Sequence, residues 1–189
     1  MSGSLEWKGL LAGLIVAAAL HVPARAQTAA PAVGARAPAF TLNDLDGAPV
    51  SLAGELTQGA VVLIVGRGWP GYQCPFCTKQ FADFRAHAAQ FAAAGARVLW
   101  IYPGPSDDLV AHAKDFIAAK DVPANFRLLI DPGYTFTNAY RLRWDAPKET
   151  AYPATFIIDR GGIIRFARVS NEHGNRTAAA DVLAALPAK

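Results

Sequence analysis

Cys74 and Cys77 are the only cysteines in the chain, and they form a Cys-x-x-Cys pair. At that spacing each thiol can attack a mixed disulfide held by the other. An apolar run, Val61 to Val65, precedes the pair, and a helix-like run beginning near Pro75 follows it. A dithiol between a buried strand and a helix is the arrangement of a redox centre. Free N–H groups and the dipole of the first helical turn favour a thiolate over a thiol there. A structural staple is the competing use of such a pair, but its loop is too short to remove much unfolded-chain entropy.

Other chemistries find less support. Zinc needs three or four ligands, and two cysteines with scattered histidines do not supply them. Thr78 follows Cys77, so the Cys-x-x-Cys-His haem pattern is absent. Gly66 to Gly71 matches Gly-x-Gly-x-x-Gly, but Trp69 and Pro70 would crowd a phosphate, and no acid closes the next strand. No cofactor and no metal are therefore expected. A pI near 9.0 is not accompanied by any basic run or basic–aromatic stripe, so no nucleic-acid partner is expected.

The elements that must hold the dithiol are readable on either side of it. Phe40 to Leu52 resembles a hairpin turning at Asp46-Gly47. Val61–Val65 has the length and continuity of a strand buried on both faces. From Pro75, the spacing of Phe81, Phe84, Ala88 and Phe91 predicts one helical face ending at Gly95. Arg97–Tyr102 reads as a strand, and Ser106 as the cap of a helix carrying Leu109, Ala113, Phe116 and Ile117 on its buried face. Phe126–Ile130 is a short strand, with a short helix expected over Tyr134–Tyr140. Ala154–Ile158 and Ile163–Val169 flank a turn at Asp159-Arg-Gly-Gly162, and Thr177–Leu186 is a final helix. This order implies a mixed sheet with helices on both faces, an N-terminal hairpin, and a short insert before the last ββα unit.

The chain has 189 residues and is 52% apolar, enough for one domain with a real core. Its start reads differently. Gly9 to Leu20 is an apolar run, too short for a membrane span, and Ala24-Arg-Ala26 supplies small residues for cleavage. Residues 1–26 are expected to be a signal peptide, 27–37 a flexible leader and 38–189 the folded domain. The mature chain is then expected to be exported, periplasmic or secreted, with no stable membrane insertion. Export would place both cysteines in an oxidising compartment.

The order of elements, with Cys-x-x-Cys after the first core strand, resembles the thioredoxin fold. Three segments are similar to its alkyl hydroperoxide reductase/thiol-specific antioxidant (peroxiredoxin) branch, over roughly residues 34–186. Pro70-x-x-x-Cys74-x-x-Cys77 is similar to that branch's Pro-x-x-x-Thr-x-x-Cys active loop. Leu128 to Gly133, with Asn138-Ala-Tyr140, is similar to its insertion, and Ala154 to Ile163 to its penultimate hairpin. On this resemblance Cys74 takes the threonine position and Cys77 the position of the peroxide-attacking cysteine. Pro153 stands where that branch has an arginine; a proline there is the thioredoxin feature, expected cis and facing the dithiol. Arg67 and Arg143 are the candidates to replace the arginine.

The resemblance implies a peroxiredoxin-like redoxin that reduces small hydroperoxides while cycling Cys74 and Cys77 between dithiol and disulfide. Pro70, Trp69, Pro153 and Arg67 would support the site, and a thioredoxin-like thiol donor would reduce it. Two alternatives stay open: a protein disulfide reductase of the cell envelope, and a non-catalytic binding domain of the same fold. The roles of the cysteines differ between the enzyme readings. As a peroxidase, Cys77 becomes a sulfenic acid and Cys74 condenses with it; as a disulfide reductase, Cys74 attacks and Cys77 resolves. Three matching segments against one proline tip the expectation to Cys77.

Overall fold

The computed structural model describes residues 29–117 and 121–186; the expected signal peptide lies outside the described residues. Seven strands form one sheet in the order β2-β1-β5-β4-β3-β6-β7. The strands are β1 (Thr41–Asp44), β2 (Pro49–Ser51), β3 (Ala60–Val65), β4 (Ala96–Gly104), β5 (Phe126–Pro132), β6 (Ala154–Ile158) and β7 (Ile164–Val169). Strands β3, β4 and β5 are parallel, and the flanking pairs are antiparallel. The sheet is therefore mixed, as the order of elements implies.

Both faces are covered. On one, Phe81 and Phe84 of α2 (Pro75–Ala86), Phe91 of α3 (Ala88–Ala93), Phe116 of α4 (Leu109–Ile117) and Val182 of α6 (Ala179–Ala185) pack on Val62, Ile64, Val98 and Trp100. On the other, Leu52 of α1 (Leu52–Gln58) and Phe136 of α5 (Thr135–Ala139) join Leu63, Val65, Leu99 and Phe156. Strand residues 61–65 are wholly buried because each face has a helical layer. A phenylalanine such as Phe91, with no exposed surface, contributes about 1.5–3 kcal/mol by burial.

The local departures from the sequence pattern have physical causes. The run from Pro75 is two helices, because His87 turns its ring nitrogen onto the Asp83 carbonyl at 2.8 Å and breaks the ladder. The break preserves the apolar face: Phe84 and Phe91 stack with centroids 5.5 Å apart. Helix α1 carries no strong periodic signal, and Gly54 weakens its propensity; Ser51 caps it by accepting from the Gly54 N–H at 3.1 Å. Ser106 does not cap α4. Strand β4 stays paired with β5 as far as Gly104, and Asp108, at φ 55°, turns the chain into the helix at Leu109. Residues 34–37, within the expected flexible leader, are held: the Gly34 and Ala37 N–H groups donate to Ile164 and Gly162, and Arg36 bridges Ile163.

Asp131 shows how the insert is anchored. Its carboxylate, fully buried, accepts from the N–H groups of Phe136 and Thr137, both at 2.9 Å, and from the Thr137 hydroxyl at 2.6 Å. These bonds satisfy free donors at the start of α5. The following segment, residues 142–152, folds back across the end of the sheet, with Arg143 bridged to Ala151 and the Tyr152 N–H donating to Leu142 at 2.8 Å.

Candidate active site

The loop between β3 and α2 runs from Gly66 to Gln73, and its path is fixed mainly by backbone. Gly66 donates to the Ile101 carbonyl at 3.0 Å and Trp69 to the Pro103 carbonyl at 2.9 Å, so the loop is laid against the end of β4. Gly68, between them, has φ 60°, and a Cβ at this position would overlap the Pro103 backbone. Both facts require glycine. Trp69 stacks on His112 at 3.6 Å, while the Tyr102 hydroxyl donates to Gln73 at 3.0 Å. Pro70 is half-buried beside Trp69.

Cys74 is the N-cap of α2, with Pro75 at the first helical position, and Cys77 lies in the first turn. The two differ sharply in environment although both are buried, at 1% and 2% exposure. The Cys77 thiol lowers the Cys74 pKa to about 5, against the opposing effect of burial; the Cys77 backbone N–H, the charge of Arg176 and a side-chain hydrogen bond from Arg67 add to the lowering. Burial pushes Cys77 well above the ordinary thiol range, and its bond to Cys74 adds to that. The pair is a buried thiolate, Cys74, held by a neutral thiol, Cys77. Cys77 in turn accepts the Arg67 N–H at 3.2 Å.

Arg67 is 1% exposed and ionised. Burial opposes its charge, but bonds to Tyr72, Cys74 and Glu149 hold its pKa above the ordinary value. Its guanidinium donates to the Tyr72 hydroxyl at 2.6 Å, to the Lys148 carbonyl at 2.9 Å and twice to the Glu149 carboxylate. Glu149 also meets His173 at 2.9 Å, and the Thr150 hydroxyl donates to the Arg67 carbonyl. Arg143 is engaged elsewhere. It donates to the carbonyls of Trp144, Glu149 and Thr150 and lies over the Tyr134 ring at 4.3 Å.

Pro153 precedes β6, whose antiparallel register pairs Ala154 with Val65 and so brings Pro153 level with Gly66. The expected cis bond is not formed; the described residues contain no cis peptide. The insert delivers Tyr152 in an extended approach, stacked on Trp144 at 4.7 Å, and Pro153 continues into the strand with its carbonyl accepting the Ser170 N–H at 2.8 Å. A trans bond, the lower-energy form by about 0.5–1 kcal/mol, suits that path.

The sequence reading missed a group of residues that closes the site. The connection from β7 to α6 brings Arg176 to Cys74, with Nη2 3.8 Å from Sγ. Gln80 of α2, buried, donates to the Thr177 carbonyl at 3.1 Å and accepts from Arg176 at 3.1 Å. Asp83 accepts the Ala179 N–H at 2.8 Å. Arg176 stands 102 positions from Cys74, so only its charge in a Gly-containing loop, 170–177, could have drawn notice; Gln80 and Asp83 lie on α2 close to the cysteines, but nothing in the sequence pairs them with that loop. Among the described residues no three His, Cys, Asp or Glu side chains gather as a metal-holding group.

A family model described as AhpC/TSA family matches residues 33–167. The chain is similar to the chloroplastic peroxiredoxin Q of Oryza sativa subsp. japonica, 34% identical over 137 residues. The match takes in 70% of this chain but spans only 57% of that relative. Among solved structures, it is similar to the peroxidoxin BcpB of Mycobacterium tuberculosis at 26% identity and a TM-score of 0.64, covering 82% of this chain and 95% of that one. It is also similar to a candidate thiol:disulfide interchange protein, DsbE, from Chlorobium tepidum, at 27% identity and a TM-score of 0.61, covering 82% and 99%. The fold is thioredoxin-like.

Proposed function

This chain belongs to the AhpC/TSA family as a peroxiredoxin-like redoxin, and we propose that it is a thiol-dependent hydroperoxide reductase cycling Cys74 and Cys77. One observation carries the choice of substrate: both sulfurs are buried, at 1% and 2% exposure. A small hydroperoxide can reach such a sulfur, whereas a protein disulfide needs an exposed one.

We infer that Cys74, rather than Cys77, is the attacking cysteine. Only a thiolate attacks, and the depressed thiol is Cys74. Its sulfur attacks the terminal oxygen of the hydroperoxide. The O–O bond breaks, an S–O bond forms, and the alkoxide leaves and takes a proton from solvent as the alcohol. Cys74 is then a sulfenic acid. The Cys77 thiol attacks that sulfur, its proton leaves with the hydroxyl as water, and the disulfide forms. Two electrons have passed from the dithiol to the peroxide. A thioredoxin-like dithiol donor returns them by exchange.

Peroxide consumption by the reduced chain tests this. The wild type is expected to consume one hydroperoxide per dithiol without a donor and to turn over with one. Cys74→Ser is expected to lose consumption, and Cys77→Ser to give one trapped sulfenic acid per chain. Consumption surviving in Cys74→Ser and absent in Cys77→Ser would return the attacking role to Cys77.

The second reading, a disulfide reductase, draws support from the likeness to the Chlorobium tepidum protein and from Pro153 at the dithiol end of β6. Trapped protein partners on Cys77→Ser, with no peroxide turnover by wild type, would favour it. Export is proposed on the apolar run Gly9 to Leu20 and Ala24-Arg-Ala26. Mass spectrometry of the exported fraction should find a chain starting at Gln27; a membrane-bound product retaining Met1 would refute that.

A further inference from the structure

A thiolate buried at a helix start is favoured by a nearby positive charge that nothing else neutralises, and three arginines lie in the region. Arg67 contributes to lowering the Cys74 pKa, but its charge is matched by the Glu149 carboxylate at 2.7 Å. Arg143 faces backbone carbonyls, the Tyr134 ring and, at 3.7 Å, Asp145. Arg176 has no carboxylate partner among the described residues. Its Nε donates to the His173 carbonyl at 2.8 Å and its Nη1 to the Gln80 amide oxygen at 3.1 Å, both neutral. Its Nη2 points at Cys74 Sγ.

We propose that Arg176 is the catalytic arginine of this site, holding the charge of the Cys74 thiolate from the β7–α6 connection, and that Gln80 is its positioning residue. This takes over, from a different element, the place left empty at Pro153. The arrangement is built rather than incidental. Gln80 is 6% exposed, and both ends of its amide are engaged with this connection, one on Arg176 and one on Thr177. Gly174 packs against the Phe76 ring, at the distance where a side chain would already be crowded. A cavity of about 380 Å³ lies between α2 and residues 174–178, lined by Phe76, Lys79, Gln80, Asp83, Arg176 and Thr177. A small substrate entering there meets Arg176, whose Nη2 lies 3.8 Å from the Cys74 sulfur. That last step rests on the hydroperoxide reading; the charge on Cys74 does not.

The assignment also fixes what happens after turnover. In the disulfide neither sulfur carries charge, so Arg176 loses the one anionic partner it has among the described residues. The bonds that remain, to Gln80 and His173, have neutral acceptors and lack the attraction between opposite charges. The connection carrying Arg176 is therefore held most firmly in the reduced state.

The experiment is a pH titration of the reduced full chain, read as thiolate absorbance near 240 nm between pH 4 and 8, with circular dichroism confirming the fold. Arg176→Met is expected to raise the Cys74 midpoint by about one unit, roughly a tenfold loss of thiolate on the acid side. Arg176→Lys is expected to keep most of the wild-type midpoint. Gln80→Leu, with Arg176 present, is expected to give a smaller rise, and it decides the question should Arg176→Met fail to fold. An unchanged midpoint in folded Arg176→Met, or in Gln80→Leu where Arg176→Met does not fold, overturns the proposal. So does an upward shift found only in Arg67→Met. Peroxide consumption is measured on the same samples. A wild type that consumes none while Arg176→Met shifts the titration sinks the hydroperoxide reading and supports the arginine assignment.

Discussion

The Arg67 guanidinium grips the Glu149 carboxylate through two hydrogen bonds, of 3.0 and 2.7 Å, across 82 positions of sequence. The bond ties the active loop to the segment that leads into β6. Arg67 is 1% exposed and Glu149 13%, so water does little to screen the pair. Removing one partner of a buried ion pair strands the other. Glu149→Ala is therefore expected to destabilise the chain by about 3–5 kcal/mol. Denaturant unfolding measures this, and a loss below about 1 kcal/mol would mean that the guanidinium finds other partners.

The Cys74 thiol stands at about 5 against an ordinary value of 9.0. Between those limits the folded chain holds a thiolate where the unfolded chain holds a thiol, so the unfolded state binds more protons. This group's contribution to the stability of the reduced protein is thus present above pH 9 and is lost as pH falls through 5. The largest cause of the depression is the hydrogen bond from Cys77. Cys77→Ala is expected to move the Cys74 midpoint upward, as read by thiolate absorbance. A midpoint still near 5 in that variant would assign the depression to the arginines and the helix terminus instead.

Asp131 accepts three hydrogen bonds at the start of α5 and has no exposed surface. Asp131→Ala leaves buried donors without acceptors, at a cost of about 1–3 kcal/mol for each group left unmet. A fall of that order is expected in urea unfolding, with peroxide consumption by the surviving folded fraction unchanged. Full stability in the variant would show that water replaces the carboxylate.

Arg176→Met is also expected to make the reduced and oxidised proteins more alike around residues 170–177. Amide hydrogen exchange in that connection should be slower in the reduced wild type than in its disulfide form, and the difference should shrink in the variant. Equal exchange in the two wild-type redox states would count against the charge linkage.

Strand and helix periodicity made most of the architecture legible. The unbroken run 61–65 could only be a strand covered twice, and the spacing of Phe81, Phe84 and Phe91 survived a break at His87 because both helices turn that face to the sheet. Helix α1 escaped notice because seven residues with a glycine in the first turn carry too little pattern. The docking of residues 34–37 uses backbone donors and acceptors, which leave no trace in residue type.

At the site, the cysteines, Trp69, Pro70 and Arg67 were legible because one loop carries them all. Glu149, Gln80 and Arg176 were not, since what joins them is the fold. Arg176 reaches Cys74 across 102 positions. The order of attack is where position and environment point to different cysteines. Matching the loop by position pointed to Cys77, but acidity depends on burial and on which thiol donates to which, and those favour Cys74.

Gly68 has a consequence for how this site could change over generations. Its backbone lies so close to Pro103 that no side chain fits, and the bonds flanking it run between main-chain groups. The loop's course is thus specified almost independently of the side chains it displays. Tyr72, exposed at 41%, and Phe76 of α2, at 45%, take no part in those main-chain bonds. Lineages carrying this loop could retune which molecules are admitted while inheriting the reactive pair intact, and position 68 is where drift would be least forgiven.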